Sequence, residues 1–292
     1  MNSLREYIEI ANREKRAIPH FNVSNLETFN AIVDTVKYLR IPVIIGVSEG
    51  ERNFFGSKNL VALVQNARNE MNLPIFLNAD HTHDFYGVQK AIDLGFDAVV
   101  FDGAKLDFNK NITETRKSVE YAHSIREKTG KDIIVEGELG NIGAKSAVFE
   151  RVPEDVDCIK TDPRDAERFV SETDIDLLAP SVGNIHGVVR SGQPDLSYDL
   201  IFVIRHTANI PLVLHGGSGI AQQDIVNAID SGITIIHVNT EIRALFRDAL
   251  ERSLDSNSTI TPYKIMSPVR NELVRLLLEK VELFWNKDMR VG

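Results

Sequence analysis

The sequence predicts an α/β chain folded as a (β/α)8 TIM barrel with an extra C-terminal helix. Eight short apolar segments recur along the chain, each bounded by Gly, Pro, Asn or Asp, and amphipathic helical stretches separate them. Continuous apolar runs are typical of parallel strands buried on both faces, and alternation with helices indicates a parallel sheet. The length of 292 residues suits one barrel, which typically has about 250. Eight strand–helix units favour a closed barrel over an open sheet.

The predicted elements alternate along the chain in the order that such a barrel requires. Strands are predicted at residues 18–23, 42–47, 75–79, 98–102, 132–136, 177–182, 212–215 and 234–238. Helical periodicity predicts helices at residues 26–39, 86–94, 112–127, 163–171, 197–206, 222–230 and 241–254. Every spacer between strands is long enough for a crossover helix.

Three segments fall outside the eightfold pattern. Residues 139–162 form a long loop that starts with Gly140 and Gly143 and has a polar, acidic middle; loops of this length are usually functional or disordered. Residues 255–267 form a second polar loop with Pro262, and residues 268–285 form the extra helix, with apolar Leu273, Leu276, Leu277, Val281 and Phe284. No segment has linker composition, so we predict a single domain over residues 1–292.

Composition predicts a cytoplasmic protein that binds neither nucleic acid nor membranes. The 33 basic and 42 acidic residues give a net charge of −9, which argues against a nucleic-acid surface but not against a local phosphate site built from backbone N–H groups. The single cysteine, Cys158, excludes an internal disulfide framework and fits a reducing cytosol. Residues 1–15 lack a signal peptide's apolar core, and no apolar run approaches the roughly 20 residues needed to cross a bilayer.

Histidines collect where the predicted strands end, which is where barrels carry their active sites. Of the eight histidines, five follow or end a predicted strand: His81, His83, His186, His215 and His237. A lone histidine beside an apolar run is more often a core or capping residue, and we interpret the other three, His20, His123 and His206, in that way. Three histidines at the ends of three strands, His81, His186 and His215, instead predict a catalytic zinc site that acts on a carbonyl.

Glycine-rich turns beside the predicted metal ligands indicate a phosphorylated substrate. Residues 215–219 read His-Gly-Gly-Ser-Gly and lead into the helix near Gln222. Glycines allow close approach of a ligand, and a helix N-terminus offers unpaired N–H groups to an anion. Asn239 and Thr240 open the next helix in the same way. Paired phosphate contacts after strands seven and eight are common in barrels.

The carboxylates at the strand ends have different predicted roles. Asp80 precedes a metal ligand and is predicted to transfer a proton to or from a substrate hydroxyl. Asp102 and Glu138 have two open interpretations: a structural hydrogen bond, or a second metal position or a hydrogen-bond partner of a ligand. Glu241, in the first turn of its helix, is explained by the helix dipole.

Together these motifs resemble those of class II aldolases, the zinc-dependent fructose-bisphosphate and tagatose-bisphosphate aldolases. The resemblance is carried by Asp80-His81, Val-Phe-Asp-Gly at 100–103, Val-Glu-Gly-Glu-Leu-Gly at 135–140, Thr-Asp-Pro at 161–163 and Leu-His-Gly-Gly-Ser-Gly at 214–219. It extends from Phe21-Asn22 to the C-terminal helix. The combination is specific, although no single motif is.

The resemblance implies a role for each matched residue. His81, His186 and His215 would hold the catalytic zinc, Asp80 would be the acid and base for the aldehyde-derived hydroxyl, and Asp102 and Glu138 would match an alternative metal position. The substrate would be bound by Ser48 on the aldehyde side and, at the phosphate of dihydroxyacetone phosphate, by Gly187, Gly216, Gly217, Ser218 and Thr240. We add His237 and Asn239 to the substrate-binding candidates.

The implied reaction is reversible cleavage of fructose 1,6-bisphosphate, or another ketose 1,6-bisphosphate, to dihydroxyacetone phosphate and glyceraldehyde 3-phosphate, in glycolysis and gluconeogenesis. Zinc would polarise the ketone and stabilise the enediolate. The family also implies a monovalent cation near the phosphate and a homodimer or homotetramer.

The chain departs from the family pattern mainly where substrate is selected. His237 replaces an asparagine that contacts dihydroxyacetone phosphate, and Tyr263 replaces an arginine that grips the second phosphate, a role that Arg243 or Arg151 could take. Further departures are Thr82 for Gly, Ala104 for Ser, and a loop start at 141–146 without the usual acidic base, with Glu150 and Glu154 only later.

Three alternatives remain. A metal-dependent hydrolase would use the His-x-His pair of His81 and His83, but that pair normally ends the first strand and an aspartate ends the last, so we interpret His83 as structural or as a partner of a ligand. A tagatose-bisphosphate or other dihydroxyacetone-phosphate-dependent aldolase is the second. A non-catalytic paralogue that binds a sugar phosphate is the third.

Overall fold

The computed structural model describes residues 2–143, 146–152, 159–192, 194–256 and 258–286. Within these ranges the strands are β1 (Ile18–Asn22), β2 (Val43–Val47), β3 (Ile75–Thr82), β4 (Ala98–Phe101), β5 (Ile134–Leu139), β6 (Val148–Arg151), β7 (Leu177–Pro180), β8 (Val188–Ser191), β9 (Leu212–Leu214) and β10 (Ile233–Val238). Eight of them pair in parallel in a closed barrel, in the order β1-β10-β9-β7-β5-β4-β3-β2. The eight predicted strands and the closed barrel are therefore confirmed.

Helices surround the barrel in the expected alternation. Their bounds are α1 (Leu4–Glu14), α2 (Leu26–Leu39), α3 (Glu49–Phe55), α4 (Ser57–Met71), α5 (Phe85–Leu94), α6 (Phe108–Thr129), α7 (Pro163–Thr173), α8 (Tyr198–Thr207), α9 (Gln222–Ser231), α10 (Thr240–Ser256) and α11 (Pro262–Trp285). Aspartates at the N-caps of three crossover helices, Asp84, Asp107 and Asp162, accept hydrogen bonds from backbone N–H groups of the first turn. All seven predicted crossover helices are present, and no described helix is long and apolar enough to cross a membrane.

The predicted bounds of the extra helix were wrong. It begins at Pro262 and not at residue 268, so the polar loop expected at 255–267 is only a short connection. Pro262 fits the first position because its missing N–H would be unpaired there. Pro268 lies inside the helix and removes one intrahelical bond. Packing against α2 and α10 holds the helix across that point.

Other elements were missed by the sequence patterns. Helix α1 was read only as a polar amphipathic segment, and α3 and α4 fill a spacer that showed no clear periodicity. The long loop at 139–162 is not structureless, since β6 pairs in parallel with β8 outside the barrel. Residues 144–145 and 153–158 lie outside the described residues, and Glu154 and Cys158 with them.

Inward-facing side chains change from apolar to polar along the barrel axis. At the N-terminal ends the interior is filled by an apolar cluster that includes Ile18, Phe76, Ile134 and Ile235, and α1 covers it with Leu4, Ile8 and Ala11. Side chains alternate with period two along a strand, so the next inward positions are His20, Asn78, Glu136 and His237, all buried. Polar groups are thus gathered at the carboxyl end of the barrel.

Candidate functional site

A cavity of about 680 Å³ opens at the carboxyl ends of the barrel strands. Of the fourteen residues proposed from the sequence, twelve line it: Ser48, Asp80, His81, Asp102, Glu138, His186, Gly187, Gly216, Ser218, His237, Asn239 and Thr240. The other two, His215 and Gly217, lie directly beside the lining, His215 fully buried. The barrel therefore brings together side chains from across the whole sequence.

His81, His186 and His215 converge on one point in the cavity. Their ring centroids are 5.0 Å apart for His81 and His215, 5.1 Å for His81 and His186, and 5.9 Å for His186 and His215. One ring nitrogen of each lies within 4.8 Å of those of the other two. Three imidazole nitrogens at this spacing are a donor set suited to zinc.

The backbone at His81 is strained in a way that aims its side chain. His81 has φ of 42°, a left-handed conformation that costs a residue with a Cβ about 1–3 kcal/mol. The register between β3 and β4 shifts between Ala79 and Thr82, as at a β-bulge. Bulges re-aim side chains and are common beside active sites.

His215 is oriented by a carboxylate that the sequence analysis did not single out. Its Nε2 donates to Glu136 Oε1 at 2.7 Å, and both side chains are buried. Its Nδ1 is buried and has no hydrogen-bond partner among the described residues. A buried acceptor without a partner is costly, whereas a metal ion would use that lone pair. Glu136 thus fixes the ring in the orientation a metal ligand needs.

Asp102 and Glu138 occupy different positions around His81. Asp102 Oδ2 accepts a hydrogen bond from His81 Nδ1 at 2.9 Å. Glu138 Oε2 lies 3.5 Å from the same nitrogen and 3.6 Å from His215 Nδ1, and it is buried without a hydrogen-bond partner in the described chain. The geometry supports Asp102 as the hydrogen-bond partner that orients the proposed metal ligand His81. It supports Glu138 as a further oxygen ligand for a metal. His83 Nδ1 is 3.5 Å from Asp102 Oδ2 at the exposed rim.

In the protein without metal, the carboxylates around His81 favour its positively charged form. Burial disfavours the charged form of His81, but Asp80 and the hydrogen bond to Asp102 outweigh it and raise the pKa of His81 to about 10. Burial and the Asp102 charge raise the pKa of Glu138 to about 7. Burial, with the neighbouring His81 and His215, lowers the pKa of His186 to about 3. A divalent cation bound here would balance the negative charge of the surrounding carboxylates.

Asp80 is held as a carboxylate beside the three histidines. Burial would raise its pKa, but His81 and His237 outweigh this and hold the pKa well below its usual range. Asn22 Nδ2 donates to Asp80 Oδ2 at 2.9 Å, and His237 Nδ1 lies 3.4 Å from Oδ1. Arg52 Nη1 donates to the backbone carbonyl of Asp80 at 3.1 Å. An ionised, oriented carboxylate at the cavity wall can accept a proton from a substrate hydroxyl.

Ser48 is held by Glu51, a second carboxylate that the sequence analysis did not single out. Glu51 accepts from the Ser48 backbone N–H at 2.8 Å and from its hydroxyl at 2.9 Å. The same buried carboxylate accepts from Asn22 at 3.0 Å and from Arg243 Nη2 at 2.6 Å. Its capping-box position in α3 was the available signal, because that box is Ser-x-x-Glu. Arg243 lines the cavity, whereas Arg151 does not.

The glycine-rich turns form the opposite wall. Gly216 has φ of 70°, and a Cβ there would lie 2.0 Å from the Ile185 carbonyl oxygen, so only glycine fits. The Ser218 hydroxyl accepts from the backbone N–H groups of Asn239 at 3.1 Å and Glu241 at 3.3 Å. Ser218 therefore fixes the start of α10 against the turn. The arrangement is consistent with an anion site at a helix N-terminus.

Four residues do not line the cavity: His20, His123, His206 and Glu150. His20 is fully buried inside the barrel, as a core residue would be, while His123 and His206 are exposed on helices. His206 Nδ1 donates to the Phe202 carbonyl at 2.8 Å near the end of α8. Glu150, considered as a loop base, is exposed and paired with Arg190 at 2.9 Å, and it does not line the cavity.

Known proteins of one family resemble this chain over nearly its whole length. The family model of class II fructose-bisphosphate aldolases matches residues 2–289. The fructose-bisphosphate aldolase of Geobacillus stearothermophilus is 36% identical over 97% of this chain and 96% of its own, and that of Staphylococcus aureus (strain Mu50) is 33% identical with the same coverage. The crystal structure of the YdjI aldolase from Escherichia coli K12 superposes with a TM-score of 0.82 at 27% identity, covering 97% of both chains. The chain therefore belongs to the class II fructose-bisphosphate aldolase family.

Proposed function

We propose that this aldolase is zinc-dependent and cleaves fructose 1,6-bisphosphate reversibly to dihydroxyacetone phosphate and glyceraldehyde 3-phosphate. The observation that carries the proposal is the convergence of three histidine nitrogens within 4.8 Å beside the ionised Asp80. The relatives named fructose-bisphosphate aldolase at 33% and 36% identity support the choice of substrate. Three imidazoles suit zinc better than magnesium or calcium, which prefer oxygen ligands.

Different residues of the chain would hold the metal ion and accept the proton when the C3–C4 bond breaks. A bound divalent ion supplies Lewis-acid polarisation of the substrate ketone. Asp80 accepts the proton of the C4 hydroxyl as the C3–C4 bond breaks, and it returns that proton in the condensation direction. Asn22 donates a hydrogen bond to Asp80 Oδ2, and His237 Nδ1 lies 3.4 Å from Oδ1. Glu136 holds His215, and Asp102 holds His81.

We assign the two ends of the substrate to different walls of the cavity. Backbone N–H groups of the turns and the start of α10 would hold the phosphate of dihydroxyacetone phosphate, with a monovalent cation beside it: Gly187, Gly216, Gly217, Ser218 and Thr240. His237 and Asn239 would contact its hydroxyl and carbonyl end. Ser48, with Arg243 beside it, would face the aldehyde end. Asp102 and Glu138 would form a second divalent position.

The test is a coupled assay for dihydroxyacetone phosphate, run with fructose 1,6-bisphosphate and tagatose 1,6-bisphosphate and accompanied by metal analysis. We expect about one zinc per chain and faster turnover of the fructose ester. Preference for the tagatose ester would revise the substrate and leave the chemistry standing. Protein that binds zinc and sugar phosphate but cleaves neither ester would be the non-catalytic paralogue, and the proposal would be wrong. Size-exclusion chromatography with light scattering tests the proposed homodimer or homotetramer.

A further inference from the structure

Three histidine rings form a stacked column inside the barrel, and the last of them, His215, is a proposed metal ligand. His237 lies between the other two: its ring centroid is 3.4 Å from that of His20, with an interplanar angle of 5°, and 4.2 Å from that of His215, with an angle of 21°. His20 and His237 are direct register partners on β1 and β10. The ring of His237 is thus covered on both faces.

His20 and His237 do not share a second metal site, although one nitrogen of each lies within 4.8 Å of the other. A metal ion binds an imidazole in the plane of the ring, along the nitrogen lone pair. The rings of His20 and His237 are parallel and only 3.4 Å apart, so one ion cannot lie in both planes. The column therefore needs another role.

Neighbouring strands are adapted to hold His20 in place. Gly46 on β2 lies against its ring, and a Cβ at that position would be 2.0 Å from His20 Cε1. A glycine inside a buried strand is unfavourable and marks close approach of another group. Asn78 Nδ2 on β3 donates to His20 Nε2 at 3.0 Å. Contacts from β2, β3 and β10 thus fix His20 in a position where an apolar residue would ordinarily fill the barrel.

We propose that His20 is a positioning residue for proton transfer: it clamps His237 against His215 and so keeps His237 Nδ1 beside Asp80. Asn22 donates to Asp80 Oδ2 at 2.9 Å, and His237 Nδ1 lies 3.4 Å from Oδ1, an oxygen that has no hydrogen-bond partner among the described residues. Without His20, the ring of His237 is free to turn into the vacated space, and Asp80 Oδ1 loses its contact with His237 Nδ1. This inference rests on the proposed role of Asp80.

Two reactions of the same enzyme separate this role from a structural one. Cleavage of the ketose bisphosphate requires Asp80 to take the hydroxyl proton. Exchange of a hydroxymethyl proton of dihydroxyacetone phosphate with deuterated water requires a polarised ketone and a base at carbon, but no proton transfer at the aldehyde oxygen. A residue that acts through Asp80 therefore affects cleavage and spares exchange.

The experiment measures both rates on the zinc-loaded, full-length protein with His20→Ala and His20→Gln. Glutamine keeps a polar group for Asn78 but has no ring. We expect kcat for cleavage to fall about tenfold to a hundredfold in both variants, with KM, zinc content and the exchange rate within about twofold of the wild type, because misplacement of a catalytic group by about 1 Å has effects of this size. His20→Phe restores a flat ring face and should recover part of the cleavage rate.

Ile18→Val is the matched control, since Ile18 is buried two residues before His20 on β1, in the apolar cluster at the N-terminal ends of the strands. It should lower the melting temperature and leave the ratio of cleavage to exchange unchanged. Equal loss of both reactions in the His20 variants, or no loss of either, would overturn the proposal. Failure of all three His20 variants to fold and bind zinc would also overturn it, by showing that His20 serves the fold. Wild-type protein that performs neither reaction would refute the proposed function itself.

Discussion

Replacing Glu136 should weaken metal binding without removing a metal ligand. Glu136 Oε1 accepts a hydrogen bond from His215 Nε2 at 2.7 Å, and both groups are buried. A hydrogen bond to a charged group is worth about 1.5–3 kcal/mol, and about 1.4 kcal/mol corresponds to a factor of ten in affinity. Glu136→Ala should therefore weaken zinc binding about tenfold to a hundredfold, as is typical for the hydrogen-bond partner of a ligand.

Glu136→Gln separates orientation from charge. Glutamine can still accept from His215 Nε2, so the ring keeps its tautomer, but the carboxylate charge is lost. We expect a loss of zinc affinity smaller than that of alanine. Competition with a chromogenic chelator at fixed pH gives the affinity, and circular dichroism of the metal-free proteins checks the fold. Zinc affinity unchanged in both variants would refute the assignment of His215 as a ligand oriented by Glu136.

Three further predictions follow from the same geometry. Asp80→Asn should keep stoichiometric zinc and lose about 10²–10⁴ in kcat, measured by coupled assay and metal analysis; full activity would exclude Asp80 as the proton acceptor. Gly46→Ala should lower the free energy of unfolding by about 1–3 kcal/mol in urea melts, because its Cβ would lie 2.0 Å from His20; an unchanged midpoint would contradict this packing. Because His81, with its pKa at about 10, holds a proton that zinc must displace, zinc affinity should rise about tenfold per pH unit between pH 6 and 8; a chelator titration that shows no pH dependence would contradict it.

The barrel and the convergence of three histidines were predictable because both depend on local pattern. Apolar runs bounded by turn residues located all eight barrel strands, and histidines at or within four residues of the predicted ends of three of them pointed to the same rim. Strands β3 and β5 nevertheless run to Thr82 and Leu139, three residues beyond the predicted ends at 79 and 136. Their last inward positions carry Asp80 and Glu138, so the apolar signal stopped before the strands did.

The supporting residues could not be predicted from pattern, because their roles depend on contacts between distant strands. Glu136 alternates with Glu138 on β5, and nothing in the sequence says that it meets His215, 79 residues away. The left-handed backbone of His81 lies at a register shift between β3 and β4. Because the residue is not a glycine, the sequence gives no signal for this conformation. His20 looked like a core histidine, and only its register with His237 gave it a further role.

The central claim is that His81, His186 and His215 hold a catalytic divalent ion beside Asp80. Its most direct test is the cleavage rate of fructose 1,6-bisphosphate by protein stripped with a chelator, before and after titration with zinc, for the wild type and for His186→Ala. We predict no cleavage by the stripped protein, recovery that saturates at about one zinc per chain, and no recovery by the variant at that stoichiometry. Full cleavage by stripped wild-type protein, or equal recovery by His186→Ala, would contradict the account.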